Sequence, residues 1–216
     1  MKVLLINDGR DCSNWGLQAS SKALLEIFQN KNKFEVDIIS HNELHKKYHF
    51  DPYLFGKKIF NDQSRTHKLF SKINLLIPTT ADQYEIYSDL WLKGKGGALS
   101  NEIISKIEKS DLVFFNAEGS TYRKNFGSLA GLFLLYLSSV KFAKKACFIN
   151  GSFTISSVDN VLSGIATKLF KNNVSFYVRE PYSLKDLLNI NIKAKLIPDS
   201  VFYYAGEQKV FGKNLD

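Results

Sequence analysis

The chain has 216 residues, 44% of them hydrophobic and 13% aromatic, which is enough apolar material for one large domain with a real core. Its 29 basic and 21 acidic residues leave a formal charge of +8, which points to an anionic partner or surface, although lysines of this number also serve as solubilising surface. Two cysteines, Cys12 and Cys147, form neither a CxxC pair nor a disulfide framework and fit a reducing, cytoplasmic setting.

The N-terminal run KVLLIN (2–7) is uninterrupted and apolar, as a strand buried on both faces reads. It follows too short an approach for a signal peptide and meets Asp8 at once. A loop carrying Asn14-Trp15-Gly16 leads into a helix from about Leu17 to Gln29, and FEVDIIS (34–40) is a second strand. These forty residues make the β-loop-α-β unit of a parallel sheet. Residues 41–98 are aromatic and basic with poor periodicity, and are expected to be an insertion of helical or irregular structure packed outside the sheet and more mobile than it.

Alternation then resumes. A helix is predicted from about Leu99 to Lys109, a strand over 111–115, a helix over 127–144, a strand over 146–149 and a helix from about 157 to 171. VSFYVRE (174–180) reads as a strand, Pro181 opens a helix to about Leu188, and AKLIPDS (194–200) is a sixth strand. The most apolar stretch, LAGLFLLYLSSVKFA (129–143), is shorter than a membrane span needs and carries Lys141, so it reads as a helix buried on all sides. The fold class is α/β, a Rossmann-like parallel sheet with helices on both faces, spanning 1–204 with the 41–98 insertion. Residues 205–216 read as a tail or the start of a linker.

Ligands of open parallel sheets bind outside the carboxyl ends of the strands. Here the exits carry Asn14 and Gly16, then Glu118, Gly119 and Ser120, then Asn150 and Ser152, then Arg179, and finally Asp199. Asn14, Gly16 and Asn150 also suit helix caps and turns, and Asp199 suits a turn after Pro198. A carboxylate at a buried strand end needs a partner, and Arg179 is the candidate for Glu118. That pair could be structural, or it could form a substrate site, since a guanidinium is the usual fork for carboxylate and phosphate. Neither G-x-G-x-x-G nor G-x-x-x-x-G-K-[ST] occurs, so no nucleotide cofactor is expected. His41, His45 and His49 share a helical spacing but lack a completing ligand, and no metal is expected. Nothing in the chain reads as a nucleic-acid module.

Taken in order, Asn14-Trp15-Gly16, FFNAEGSTY, INGSF, YVREPYSLKDL and IPDSVF resemble the polysaccharide pyruvyl transferase family. The most specific piece is R-E-x-x-S-x-x-x-L followed by Pro-Asp, here Arg179, Glu180, Ser183, Leu187, Pro198 and Asp199. The resemblance implies an architecture like one half of a B-type glycosyltransferase. It also implies transfer of pyruvate from phosphoenolpyruvate, as a ketal, to a sugar or lipid-linked saccharide of a bacterial exopolysaccharide or capsule. Glu118 and Arg179 would then be catalytic, while Asn14, Gly16, Gly119, Ser120, Asn150, Ser152, Ser183 and Asp199 would bind substrate. Leu17 stands where many members carry Asp. The likeness fades after Asp199, so the chain is expected to be an N-terminal half, weakly active alone, with a second domain or a homo-oligomer as partner and contact with the inner membrane surface. A non-catalytic sugar- or partner-binding domain and a nucleotide-sugar glycosyltransferase are the alternatives.

Overall fold

A computed structural model of the chain describes residues 1–44, 75–97, 99–118, 126–153 and 160–207. Six strands form one sheet: β1 (Lys2–Asp8), β2 (Glu35–Ser40), β3 (Leu112–Asn116), β4 (Lys145–Gly151), β5 (Ser175–Val178) and β6 (Ala194–Leu196). The order is β2-β1-β3-β4-β5-β6, and every neighbouring pair is parallel. The α/β Rossmann-like class is therefore established. Chain direction across the sheet reverses between β1 and β3, the kind of switch point at which such sheets open a crevice at their carboxyl edge.

Alternate residues of β1 serve two cores. Leu4 and Ile6 join the larger cluster on one face, and Val3 and Leu5 join a smaller one with Leu24, Leu25 and Phe28. The smaller cluster is covered by α1 (Trp15–Glu26), whose last turn widens into a π-helical turn over Ile27–Lys31. On the other face lie α4 (Ser100–Lys109), α5 (Phe126–Phe142) and α6 (Asn160–Lys171). Residues 127–138 of α5 are all buried, as its unbroken apolar sequence predicts. Gly131 sits in the middle of that helix because a β-carbon there would come 2.3 Å from the Phe115 ring, so glycine lets α5 settle directly on β3. The described helices include none long and apolar enough to cross a membrane.

The described part of the 41–98 segment is not peripheral. Residues His41–Leu44 form α2, a short 3-10 turn (Ala81–Gln83) is capped by a reciprocal Thr80–Gln83 box, and Tyr84–Leu92 form α3. Tyr84, Tyr87 and Trp91 of α3 enter the main core, and Trp91 donates its indole N–H to the Leu76 carbonyl at 2.7 Å. Tyr84 and Trp91 meet Phe133 of α5 edge to face. Residues 75–97 thus lie outside the sheet, and their aromatic face closes the core over α5. Residues 45–74 lie outside the described set.

Helix α7 (Pro181–Asn189) begins one residue after Glu180, and β5 ends at Val178, two residues short of the expected strand. A proline cannot donate to a strand ladder but suits the first helical turn, so Arg179 and Glu180 form the bend between the two. Likewise β6 ends at Leu196, leaving Asp199 in a turn before α8 (Phe202–Glu207). The boundary expected at 204 falls inside that helix.

Candidate functional site

The carboxyl edge is floored by a buried amide network. Asn7 and Asn150 take the left-handed conformation, with φ of 68° and 60°, which asparagine tolerates better than most residues. Both β1 and β4 shift register near these residues, and their side chains turn toward Asn116 at the end of β3. Asn7 Nδ2 donates to the Asn116 carbonyl at 2.7 Å, and Asn150 Nδ2 donates to Asn116 Oδ1 at 3.2 Å. Asn116 Nδ2 in turn reaches the hydroxyls of Ser20 and Ser21 in α1, at 3.2 and 3.1 Å. Asn150 Oδ1 accepts the backbone N–H of Ser200 at 2.9 Å. At the outer end His41 Nδ1 lies 2.9 Å from Asn7 Oδ1, and burial lowers its proton affinity below the usual histidine value against the raising effect of Asp11. These buried polar groups are satisfied by one another, so the network fixes the relative positions of β1, β3, β4, α1 and the β6 exit.

Above this floor lies an ion cluster. Arg179 Nη1 donates to Glu118 Oε2 in a close contact and to Asp199 Oδ2 at 2.7 Å, while Nε reaches Glu180 Oε1 at 3.3 Å. Glu118 follows β3 and Arg179 follows β5, so the pair spans the end of β4. Gly151 makes that approach feasible, since a β-carbon there would meet Ala117 Cβ at 2.6 Å. Asp199 Oδ1 also accepts the Val201 N–H at 3.1 Å, so its two oxygens serve the turn and the arginine separately. Three carboxylates around one guanidinium leave local negative charge. Burial, together with Asp199 and Glu180, raises the Glu118 carboxyl above its ordinary value in spite of Arg179. Burial weakens the charged form of Arg179, but Glu118 and Asp199 more than offset that and raise its proton affinity. Burial also acts to raise Glu180, yet hydrogen bonds from Tyr182 and Ser152 and the charge of Arg179 bring it below its usual value.

Most of the residues singled out from sequence converge here. Asn14 Oδ1 caps α1 by accepting the Leu17 N–H at 3.0 Å, and a β-carbon on Gly16 would lie 3.3 Å from both Asn14 Oδ1 and Glu118 Oε1. The start of α1 therefore lies against the Glu118 carboxylate. Ser152 is tied to Glu180, and the buried Ser183 hydroxyl accepts the Phe153 N–H at 2.9 Å. Asn150 and Ser183 thus make hydrogen bonds that tie the scaffold together. Gly119 and Ser120, like His45 and His49, lie outside the described residues. Sequence reasoning passed over Asn116, Ser20 and Ser21. The available signal was a pair of adjacent serines in the helix after β1, where an apolar face would otherwise continue. At the β1 exit, buried Asp8 holds Arg10 Nη2 at 2.9 Å and Nε at 3.0 Å.

Comparison with known proteins bears on this arrangement. No curated protein matches the chain. A model of the polysaccharide pyruvyl transferase family matches residues 18–214, which takes in Glu118, Asn150, Arg179, Ser183 and Asp199 and begins just after Gly16. With nearly the whole length matched, the chain belongs to the polysaccharide pyruvyl transferase family.

Proposed function

We propose that the chain transfers pyruvate from phosphoenolpyruvate to a saccharide, with Glu118 as the proton acceptor for the attacking sugar hydroxyl. The observation that carries this is the Glu118 carboxyl itself, held at the switch-point edge against Arg179 and the Asn14–Gly16 turn, with its proton affinity raised by burial. A base poised nearer neutral pH than an ordinary carboxylate suits proton transfer from an alcohol. In the proposed reaction one sugar oxygen adds to C2 of phosphoenolpyruvate, and a proton added at C3 makes the methyl group. The second sugar oxygen then displaces phosphate from C2, and its proton leaves with the phosphate. One proton from each hydroxyl thus balances the ketal and inorganic phosphate.

Arg179 orients Glu118 through Nη1, and its Nη2 edge would meet the donor carboxylate. Asn150 and Ser183 act as positioning residues for that edge, and Asn14 and Gly16 border the acceptor. Since Glu118, Asp199 and Glu180 already surround Arg179, the departing phosphate requires cations beyond this cluster. We therefore infer that the chain alone turns over slowly and that a second domain or second copy completes the donor side. The net charge of +8 favours work at an anionic membrane face on a lipid-linked acceptor.

The test is phosphate release from phosphoenolpyruvate in the presence of saccharide acceptors, comparing wild type with Glu118→Gln. Saccharide-dependent release lost in the variant supports the assignment, whereas release unchanged by the substitution removes Glu118 from the chemistry. A second reading, a sugar-binding domain without turnover, draws on the excess of carboxylates around Arg179, which opposes a phosphorylated donor. Saccharide binding with no phosphate release, even with added partner domain, would favour it.

A further inference from the structure

The two tryptophans of the chain are placed in opposite ways. Trp91 is fully buried, whereas Trp15, the first residue of α1, is 85% exposed. Helix initiation does not require it, because Asn14 supplies the cap. Nor does packing, because the buried face of α1 starts at Leu17. Trp15 stands between Asn14 and Gly16, and it is Gly16 that lies against Glu118 Oε1. Consecutive Cα atoms are about 3.8 Å apart, so the backbone that carries the indole lies within about 9 Å of that carboxylate oxygen.

We propose that Trp15 is the stacking platform of the acceptor subsite, taking the C–H face of a pyranose while a hydroxyl on the ring's edge reaches Glu118. This rests on the assignment of Glu118 above. The surroundings select among possible occupants. Its chain neighbours Ser13, Asn14 and Gly16 are exposed and polar or small, so along the described turn Trp15 does not continue into the wide apolar patch that a protein partner would cover. Next to Gly16 the group at hand is a carboxylate, which disfavours an anionic headgroup on the acceptor side, whereas Arg179 is the group assigned to the donor. A neutral saccharide presents what the site complements: an apolar face for the ring and hydroxyl donors for carboxylates and the Asn14 amide.

The full 216-residue chain would be titrated with lactose, cellobiose, mannobiose and diacetylchitobiose, following tryptophan emission and acrylamide quenching, with calorimetry as a second measure of affinity. Buried Trp91 serves as the constant background. At least one disaccharide should shift and protect the Trp15 emission saturably. Trp15→Ala should weaken its binding about tenfold, equivalent to about 1.4 kcal/mol, and Trp15→Phe should recover most of it. Ile86→Ser, at another exposed apolar residue, should change nothing. Unchanged calorimetric affinity in Trp15→Ala, or no response to any of these sugars at millimolar concentration, overturns the platform. A Trp15 shift with phosphatidylglycerol vesicles alone also overturns it and assigns the ring to a membrane. Phosphate release with a silent Trp15 removes the platform and leaves the transferase assignment standing. A Trp15 response without phosphate release keeps the sugar site and sinks the transfer reaction.

Discussion

Glu118 is held in a setting that disfavours its ionised form, burial first, and the consequence for stability has a definite sign. Its folded proton affinity lies above the ordinary value of 4.5, so between the two values the folded chain binds more protons than the unfolded one. The contribution of Glu118 to stability is therefore full at acid pH, declines as pH rises through that window, and is gone above the raised value. At neutral pH, Glu118→Gln should leave the melting temperature unchanged or raise it, while lowering turnover roughly 100-fold or more. Arg179→Ala does the opposite to the fold, since it leaves three carboxylates facing one another. With its side chain 21% exposed, a loss of about 3 kcal/mol in urea unfolding is expected, the lower end for a broken buried pair. Equal destabilisation by the two variants would make the pair purely structural. The acid limb of the kcat/KM profile should also lie above 4.5, where an ordinary glutamate would place it. Much of this cluster was legible in the sequence because a parallel sheet sends every strand exit to one edge. What stayed hidden was the sharing of Arg179 among Glu118, Asp199 and Glu180, and the inward turn of Asn150. Both depend on register shifts and a left-handed residue, which leave no mark in residue type alone.

At the scale of elements, the alternation of strands and helices was readable because apolar runs buried on both faces and a helix buried all round leave composition signals. Helix α3 lies in the 41–98 segment, where helical structure was expected but not bounded, although Tyr84, Tyr87, Ser88 and Trp91 fall at i, i+3, i+4 and i+7 and all four are buried. Exposed Ile86 and Leu92 blurred that stripe. The two kinds of position should separate cleanly. Trp91→Ala should cost about 3–5 kcal/mol, and Ile86→Ser should stay within about 0.5 kcal/mol. Similar losses at both would mean that α3 does not pack as described. The strand ends allow a finer comparison. Asn150→Gly and Asn150→Ala lose the same hydrogen bonds to Asn116 and Ser200, but only alanine is strained at a φ of 60°. Chemical denaturation should find the alanine variant less stable than the glycine variant by about 1 kcal/mol. The reverse order would show that chain entropy, not left-handed strain, dominates at the end of β4.

For the molecule as a whole, charge is divided between surface and site. The chain carries +8, yet the described groups nearest Glu118 are a guanidinium and two further carboxylates. A long-range attraction and a local repulsion of anions therefore coexist, and salt acts on them differently. Surface lysines interact across water over distances that a Debye length of about 10 Å at 0.1 M salt cuts off. Contacts made by a neutral sugar with the indole and carboxylates are short and largely unscreened. Raising salt from about 0.05 to about 0.5 M should accordingly weaken partitioning onto phosphatidylglycerol vesicles at least about tenfold, since each basic residue near such a surface contributes about 1 kcal/mol. Disaccharide affinity, measured on the same samples by calorimetry, should stay within about twofold, because no counterions are released when a neutral ligand binds. Vesicle binding that ignores salt would mean that apolar insertion, not the basic surface, holds the chain at a membrane. Disaccharide affinity falling in step with vesicle binding would mean that the sugar is recognised through the basic surface and not at the Glu118 edge.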